Sequence, residues 1–273
     1  MKIVKAKKSL GQNFLADTRV TDRILDVAHI GEGDRVFEIG PGTGALTGPV
    51  LDRGAEVVAA ELDHMLVERL TDRFLGSSRL SILEANILDM DMDAFLGRSG
   101  WKDDGYKVVA NIPYYITAPI IRKLLSLRVR PERIVLMVQE EVADRLAAPP
   151  GKMSLLSLLA QYYASVRKEF RVPKEAFEPI PKVDSAIVSF LPHRTYIESG
   201  DRRIFRVARA GFAARRKTLA NNISSSFRLP RADVEAVIAG MGLDIRIRAQ
   251  ELSINGWITL ADRIGTLERP AET

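Results

Sequence analysis

Cysteine is absent from the 273 residues. Disulfides and cysteine-ligated metal are therefore out of reach. Histidine occurs only at His29, His64 and His193, with no ligand spacing, so no metal site is expected. No apolar run approaches the ~18 residues that a membrane-crossing helix needs. The N-terminal MKIVKAKKSLGQ is basic but carries neither the apolar stretch nor the small-residue cleavage site of a secretory signal. These absences together predict a cytoplasmic protein with no membrane partner.

The hydrophobic fraction of 46% and the charged fraction of 27% are those of an ordinary globular chain, long enough for one large core and a small appendage. The net charge of +5 points mildly to a polyanionic partner. Its distribution is more telling. Residues 201–218 hold seven Lys/Arg, among them Arg215, Arg216 and Lys217, against the single acid Asp201. The N-terminal tip adds Lys2, Lys5, Lys7 and Lys8. A solvated face normally mixes signs, so a phosphate-binding surface is expected.

Strands and helices alternate along the first two thirds of the chain. Helical spacing marks residues 18–28, about 45–53, 64–74, 118–127 and about 154–163. In the helix at 64–74, Met65, Leu66, Leu70 and Phe74 are expected to face inward. Short apolar runs mark strands at 35–39, 55–61, 80–85, 107–111 and 133–139. Two further strands, 166–172 and 183–190, are expected as an antiparallel edge. The alternation predicts an α/β fold: a mainly parallel, Rossmann-like sheet with helices on both faces. Beyond the polar connection 192–200 the pattern is all helical, at 201–214, 216–226, 231–241 and about 253–267. A domain boundary is placed there, separating residues 1–191 from a small C-terminal helical domain at 192–273.

Two short motifs each close a buried strand. In VFEIGPGTG, Gly40, Gly42 and Gly44 allow a sharp turn and close approach of a ligand. The helix that follows offers free N–H groups. Glu61 ends the next strand, where a carboxylate can accept both hydroxyls of a ribose. This turn alone fits NAD as well as S-adenosylmethionine.

The second motif, VVANIPYY, separates them. An adenine amine is a poor nucleophile because its lone pair is delocalised into the ring. Two acceptors that draw its hydrogens out of plane free that lone pair. The side-chain carbonyl of Asn111 and the backbone carbonyl of Ile112 can serve, Pro113 stiffens the turn, and Tyr114 can stack on the base. A sulfonium methyl as the electrophile leaves the protein mainly positioning and electrostatics to supply.

With these residues in hand, the chain resembles the ribosomal RNA adenine dimethyltransferases of the small subunit. KKSLGQNFL, EIGPGTGALT, Glu61, NIPYYIT, FEPIPKVDSAIV and FAARRKTLANN follow in the family's order over nearly the whole chain. The resemblance implies an S-adenosylmethionine site lined by Asn13, Leu15, Gly40, Glu61, Asn86 and Asn111. It implies that Asn111, Ile112 and Tyr114 hold the adenine, with Phe177 opposite on a loop stiffened by Pro179 and Pro181. Arg215, Arg216 and Lys217 fall in the helical-domain signature and would meet RNA. The family transfers two methyls to each of two neighbouring adenines near the 3′ end of small-subunit ribosomal RNA, during subunit assembly. A monomer is expected. One departure is Asn86, where the family commonly has Asp; a carbonyl acceptor is kept and its charge is lost.

Three other readings compete. The related enzymes that methylate large-subunit RNA are disfavoured by LGQNFL, the full FEPIPKVDSA and the RRKT segment. A noncatalytic assembly factor would not need an intact NIPY and Glu61. An NAD-dependent oxidoreductase lacks an evident proton donor beside a hydride site.

Overall fold

The computed structural model describes residues 7, 11–101, 105–193 and 201–267. Lys2, Lys5 and Lys8 of the basic N-terminal tip, and most of the connection at 192–200, lie outside them. The chain divides into two compact units, one of residues 1–144 and 164–194, the other of residues 145–163 and 195–273.

The first unit opens with a two-residue strand, β1 (Phe14–Leu15), and helix α1 (Thr18–Val27). Asp17 caps α1 by accepting the Arg19 N–H at 2.9 Å. There follow β2 (Arg35–Ile39), α2 (Thr47–Asp52), β3 (Glu56–Glu61), α3 (His64–Arg73), β4 (Leu80–Glu84), α4 (Met92–Arg98), β5 (Tyr106–Asn111), α5 (Thr117–Leu125) and β6 (Arg133–Gln139). Helix α6 (Glu140–Leu146) leaves the sheet, and after α7 (Leu155–Tyr163) the chain returns as β7 (Ala164–Val172), β8 (Phe177–Glu178) and β9 (Ser185–Pro192).

Seven strands form one sheet in the order β4-β3-β2-β5-β6-β9-β7. The first five are parallel, because each return passes through a helix or a long crossover. Strands β9 and β7 close the edge antiparallel, as expected from the sequence. The central strands are buried almost throughout, which is why they read as unbroken apolar runs.

In α3 the capping Asp63 starts the helix so that Leu66 and Leu70 point inward. Met65, expected inside, is 58% exposed. Three pieces were not foreseen: α4, α6, and the pairing of β1 with β8. That pairing is antiparallel, Phe14 opposite Glu178 and Leu15 opposite Phe177. Two further bonds, from the Ala16 and Asp17 N–H groups to the Ala176 carbonyl at 2.8 and 3.3 Å, extend the seam.

The second unit contains α7, α8 (Asp201–Gly211), α9 (Leu219–Phe227), α10 (Arg231–Ala239) and α11 (Ile254–Leu267). Helix α8 stops three residues short of the expected 214, and α9 starts three residues late. The cause is local. A Cβ on Gly211 would stand 2.5 Å from the Trp257 ring, so only glycine lets the end of α8 meet α11 there. Buried Asn222 donates from Nδ2 to the carbonyls of Gly211 at 2.6 Å and Ala214 at 3.0 Å. It thereby satisfies carbonyls that continued helix would have used. Residues 212–218 form a tight turn instead.

Candidate active site

The carboxyl ends of β2, β3 and β5 open on one cleft, as expected of an open parallel sheet. It is lined by residues 11–15, the glycine turn, Glu61 and Leu62, Asn86 and Ile87, and residues 111–116.

Gly40, Gly42 and Gly44 all have positive φ, so the turn has the conformation its sequence demands. At Gly42 the need is double. A Cβ there would also stand 3.2 Å from the Phe14 ring. The Gly42 N–H donates to Glu61 Oε2 at 3.1 Å. Glu61 Oε1 accepts the N–H groups of Leu62 and Asp63 at 2.8 and 2.9 Å. Burial pushes the Glu61 carboxyl up, and these three backbone donors pull it part of the way back. Oε2 keeps one free lone pair at the cleft wall, fitting a ribose hydroxyl. The exposed Leu62 and buried Ile87 offer apolar walls to a flat base. The donor set therefore fits a ribose-bearing cofactor such as S-adenosylmethionine.

Asn86 lines the cleft, but its amide is engaged. Nδ2 donates to Asp89 Oδ2 at 2.7 Å, and Oδ1 accepts the Leu88 N–H at 3.1 Å. One lone pair on Oδ1 remains for a ligand.

Asn111 ends β5 and donates from Nδ2 to the backbone carbonyl of Asn13 at 3.0 Å. That bond selects the amide orientation, leaving Oδ1 as the acceptor. Asn13 in turn donates from Nδ2 to the Gly11 carbonyl at 3.2 Å. Ile112 buries its side chain at 1% exposure, so only its backbone can serve a ligand. Tyr114 begins a single 3₁₀ turn, Tyr114–Ile116. It is half-buried, and burial raises its hydroxyl above the ordinary tyrosine value. Tyr115 is 60% exposed at the cleft mouth.

Phe177 departs from expectation. It is 3% exposed, belongs to a buried apolar cluster with Leu15, Val172, Ala176 and Ile187, and does not line the cleft. Nor is it on a loop: pairing with Leu15 makes it part of a strand, and that pairing turns the ring into the core. Phe14, the residue before its partner Leu15, lines the cleft instead.

Sequence reasoning missed four contributors. Asp63 ties the N-terminal segment to the cofactor side, accepting from Lys7 Nζ at 2.7 Å and Gln12 Nε2 at 3.1 Å. Glu38, 1% exposed on β2, accepts from Thr47 Oγ1 at 2.7 Å. Burial raises its carboxyl to about 7, with the charge of Glu61 adding to the rise. An acid inside the apolar run VFEIG was the available signal for it. Phe14 gave no signal of its own, nor did Ser185, whose hydroxyl lies 2.9 Å from that of Tyr114.

Arg215, Arg216 and Lys217 are exposed on the turn between α8 and α9, not on a helix. None of the three has a carboxylate partner among the described residues.

Comparison with known proteins agrees with this picture. The family description "Ribosomal RNA adenine dimethylase" matches residues 3–265. A protein of Dehalococcoides mccartyi named ribosomal RNA small subunit methyltransferase A is 40% identical over 256 residues, covering 93% of this chain and 87% of its own. One of the same name from Geobacter sulfurreducens is 41% identical over 262 residues, covering 94% of each chain. The crystal structure of a dimethyladenosine transferase from Plasmodium falciparum shares the fold with a TM-score of 0.77, at 24% identity, over 93% of this chain and 98% of its own. That of the 23S rRNA methyltransferase ErmE gives 0.73, also at 24% identity, over 93% and 100%.

Proposed function

The chain belongs to the ribosomal RNA adenine dimethylase family, and from that premise we propose how its cleft performs the reaction. It is an S-adenosylmethionine-dependent adenine dimethyltransferase whose substrate is ribosomal RNA. Our finer reading is that the targets are two adjacent adenines near the 3′ end of small-subunit RNA, met in an assembling particle by a cytoplasmic monomer. The relatives' names support the small subunit. The motif order FEPIPKVDSA, then RRKT, supports it too.

Bound S-adenosylmethionine supplies an electrophilic methyl. Glu61 and the glycine turn would hold its ribose and amino-acid ends, and Asn86 would take its adenine. Asn111 Oδ1 and the Ile112 carbonyl accept the two hydrogens of the target amine. The nitrogen would then pyramidalise, freeing its lone pair to attack. Tyr114 offers a flat face to the target base. These groups act by placement, since no strong base is needed once the amine has attacked. With Phe177 in the core, Tyr114 is the ring we assign to the base, and Phe177 supports the β1–β8 seam beneath the site. Arg215, Arg216 and Lys217 bind RNA phosphates.

The observation that carries this reading is the Asn111–Asn13 bond, which presents the Asn111 carbonyl oxygen as an acceptor. The test is to incubate the protein with labelled S-adenosylmethionine and undermethylated small subunits, then map the label by mass spectrometry. Two adjacent dimethyladenosines near the 3′ end are expected. No label near the 3′ end, or label at another base, overturns the finer reading.

A further inference from the structure

The Tyr114 hydroxyl lies 2.9 Å from the hydroxyl of Ser185. Ser185 is completely buried, and it is the first residue of β9. It pairs with Gln139 of β6 on one side and Val172 of β7 on the other. Because β9 runs antiparallel to β6, it begins at the sheet end where β5 finishes in Asn111. A parallel strand would begin at the opposite end. The antiparallel edge thus delivers a hydroxyl to the catalytic end of the sheet.

Ser185 sits on a fixed post. The preceding Asp184 accepts the Glu140 N–H at its carbonyl, 3.0 Å away, and the Lys174 N–H at its carboxylate, 2.9 Å away. Arg171 closes on the same carboxylate. At the other end, the Tyr114 carbonyl accepts from Thr117 Oγ1 at 3.1 Å, and Thr117 is itself buried. Tyr114 is therefore held both at its backbone and at the tip of its ring. A ring held only at Cα can swing about two torsions. A ring held at both ends cannot.

We propose that Ser185 is a positioning residue for adenine methylation: through the Tyr114 hydroxyl it fixes the plane of the ring against which the target base is presented. The proposal rests on Tyr114 as the base-contacting ring. It departs from simple stacking in one respect. If only the aromatic face mattered, Tyr114→Phe would be neutral. With the ring's orientation set by Ser185, the phenylalanine keeps the face and loses the aim.

The experiment uses the full chain, undermethylated small subunits and saturating labelled S-adenosylmethionine. Single-turnover rates are read for Ser185→Ala, Tyr114→Phe, the double variant and Tyr114→Ala, with cofactor affinity and a melting curve for each. Ser185→Ala and Tyr114→Phe should each slow methylation about tenfold, since small misplacements are costly at a reacting centre. The double variant should be no slower than either, because both changes delete one bond. Cofactor affinity should stay within about twofold, as a bond outside the ribose site predicts. Rates near wild type for either single variant overturn the proposal, as do losses that multiply in the double. It also fails if the Ser185→Ala loss merely follows a large fall in melting midpoint. A dead Tyr114→Ala beside a fully active Ser185→Ala defeats this inference and leaves Tyr114 at the base. A fully active Tyr114→Ala removes both.

Discussion

Asn111 and Asn13 lie 98 residues apart in the sequence, yet the side-chain amide of one donates to the backbone carbonyl of the other at 3.0 Å. In the proposed mechanism the bond couples the residue that accepts the target amine to the N-terminal segment that lines the same cleft. It also tells asparagine from aspartate. Asn111→Asp keeps one acceptor oxygen but replaces the donor by a second, set against the Asn13 carbonyl. We expect its single-turnover methylation to fall by about two orders of magnitude, since removing a preorganised polar group commonly costs that much. Folding should be retained, read by circular dichroism. Wild-type turnover would show that orientation of the amide is unimportant.

Phe177→Ala should destabilise the protein rather than act on the base alone. A phenylalanine truncated in a core loses about 3–5 kcal/mol. For a chain of this size the melting midpoint should drop on the order of 10 °C. Scanning calorimetry checks it. A midpoint unchanged within a degree or two, with methylation lost, would return the ring to the cleft.

Asn86 and Asp89 face each other at 2.7 Å. Asn86→Asp on its own places a second carboxylate against the first, so its gain in cofactor affinity should be small. Asn86→Asp combined with Asp89→Asn relieves the repulsion. The double variant should bind S-adenosylmethionine about fivefold more tightly than wild type, because a charged acceptor is worth roughly 1 kcal/mol more than a neutral one. Calorimetric titration of both variants decides the point. An Asn86→Asp variant as tight as the double would show that Asp89 plays no part.

Glu38 makes stability depend on pH. Its carboxyl ionises at about 7 in the fold, against 4.5 for the ordinary group. Between those values the folded chain holds a proton that the unfolded chain releases. The contribution is therefore complete below pH 4.5, declines as pH rises, and is gone above about 7. Its size is about 3 kcal/mol. Glu38→Gln should lack this decline. Urea midpoints of the two proteins between pH 5 and 8 test it, and parallel curves would refute the assignment.

Reversing charge at Arg215, Arg216 and Lys217 should weaken binding to the ribosomal particle. The salt dependence should flatten by roughly one log unit for each phosphate that the turn no longer neutralises. Binding measured over a salt series checks this. An unchanged slope would leave the turn as a solvated surface.

Much of this protein was written locally. Buried parallel strands are apolar throughout and their helices are amphipathic, so the α/β alternation and the antiparallel edge could be read from spacing alone. The glycine turn, Glu61 and NIPY were legible because their residue types carry backbone or chemical demands at fixed places on a strand end. What tertiary structure decided was every meeting of segments far apart in the chain. Leu15 meets Phe177, Asn13 meets Asn111, and Tyr114 meets Ser185 across separations that no periodicity spans. Phe177 illustrates the difference: its motif suggested a cleft residue, and a two-residue strand pairing turned it into the core. The basic turn does so as well. Helical spacing ran to 214 and resumed at 216, but Asn222 and the Gly211–Trp257 approach ended one helix and delayed the next. Burial and hydrogen-bond satisfaction are settled among all neighbours at once, and only the folded chain supplies the neighbours.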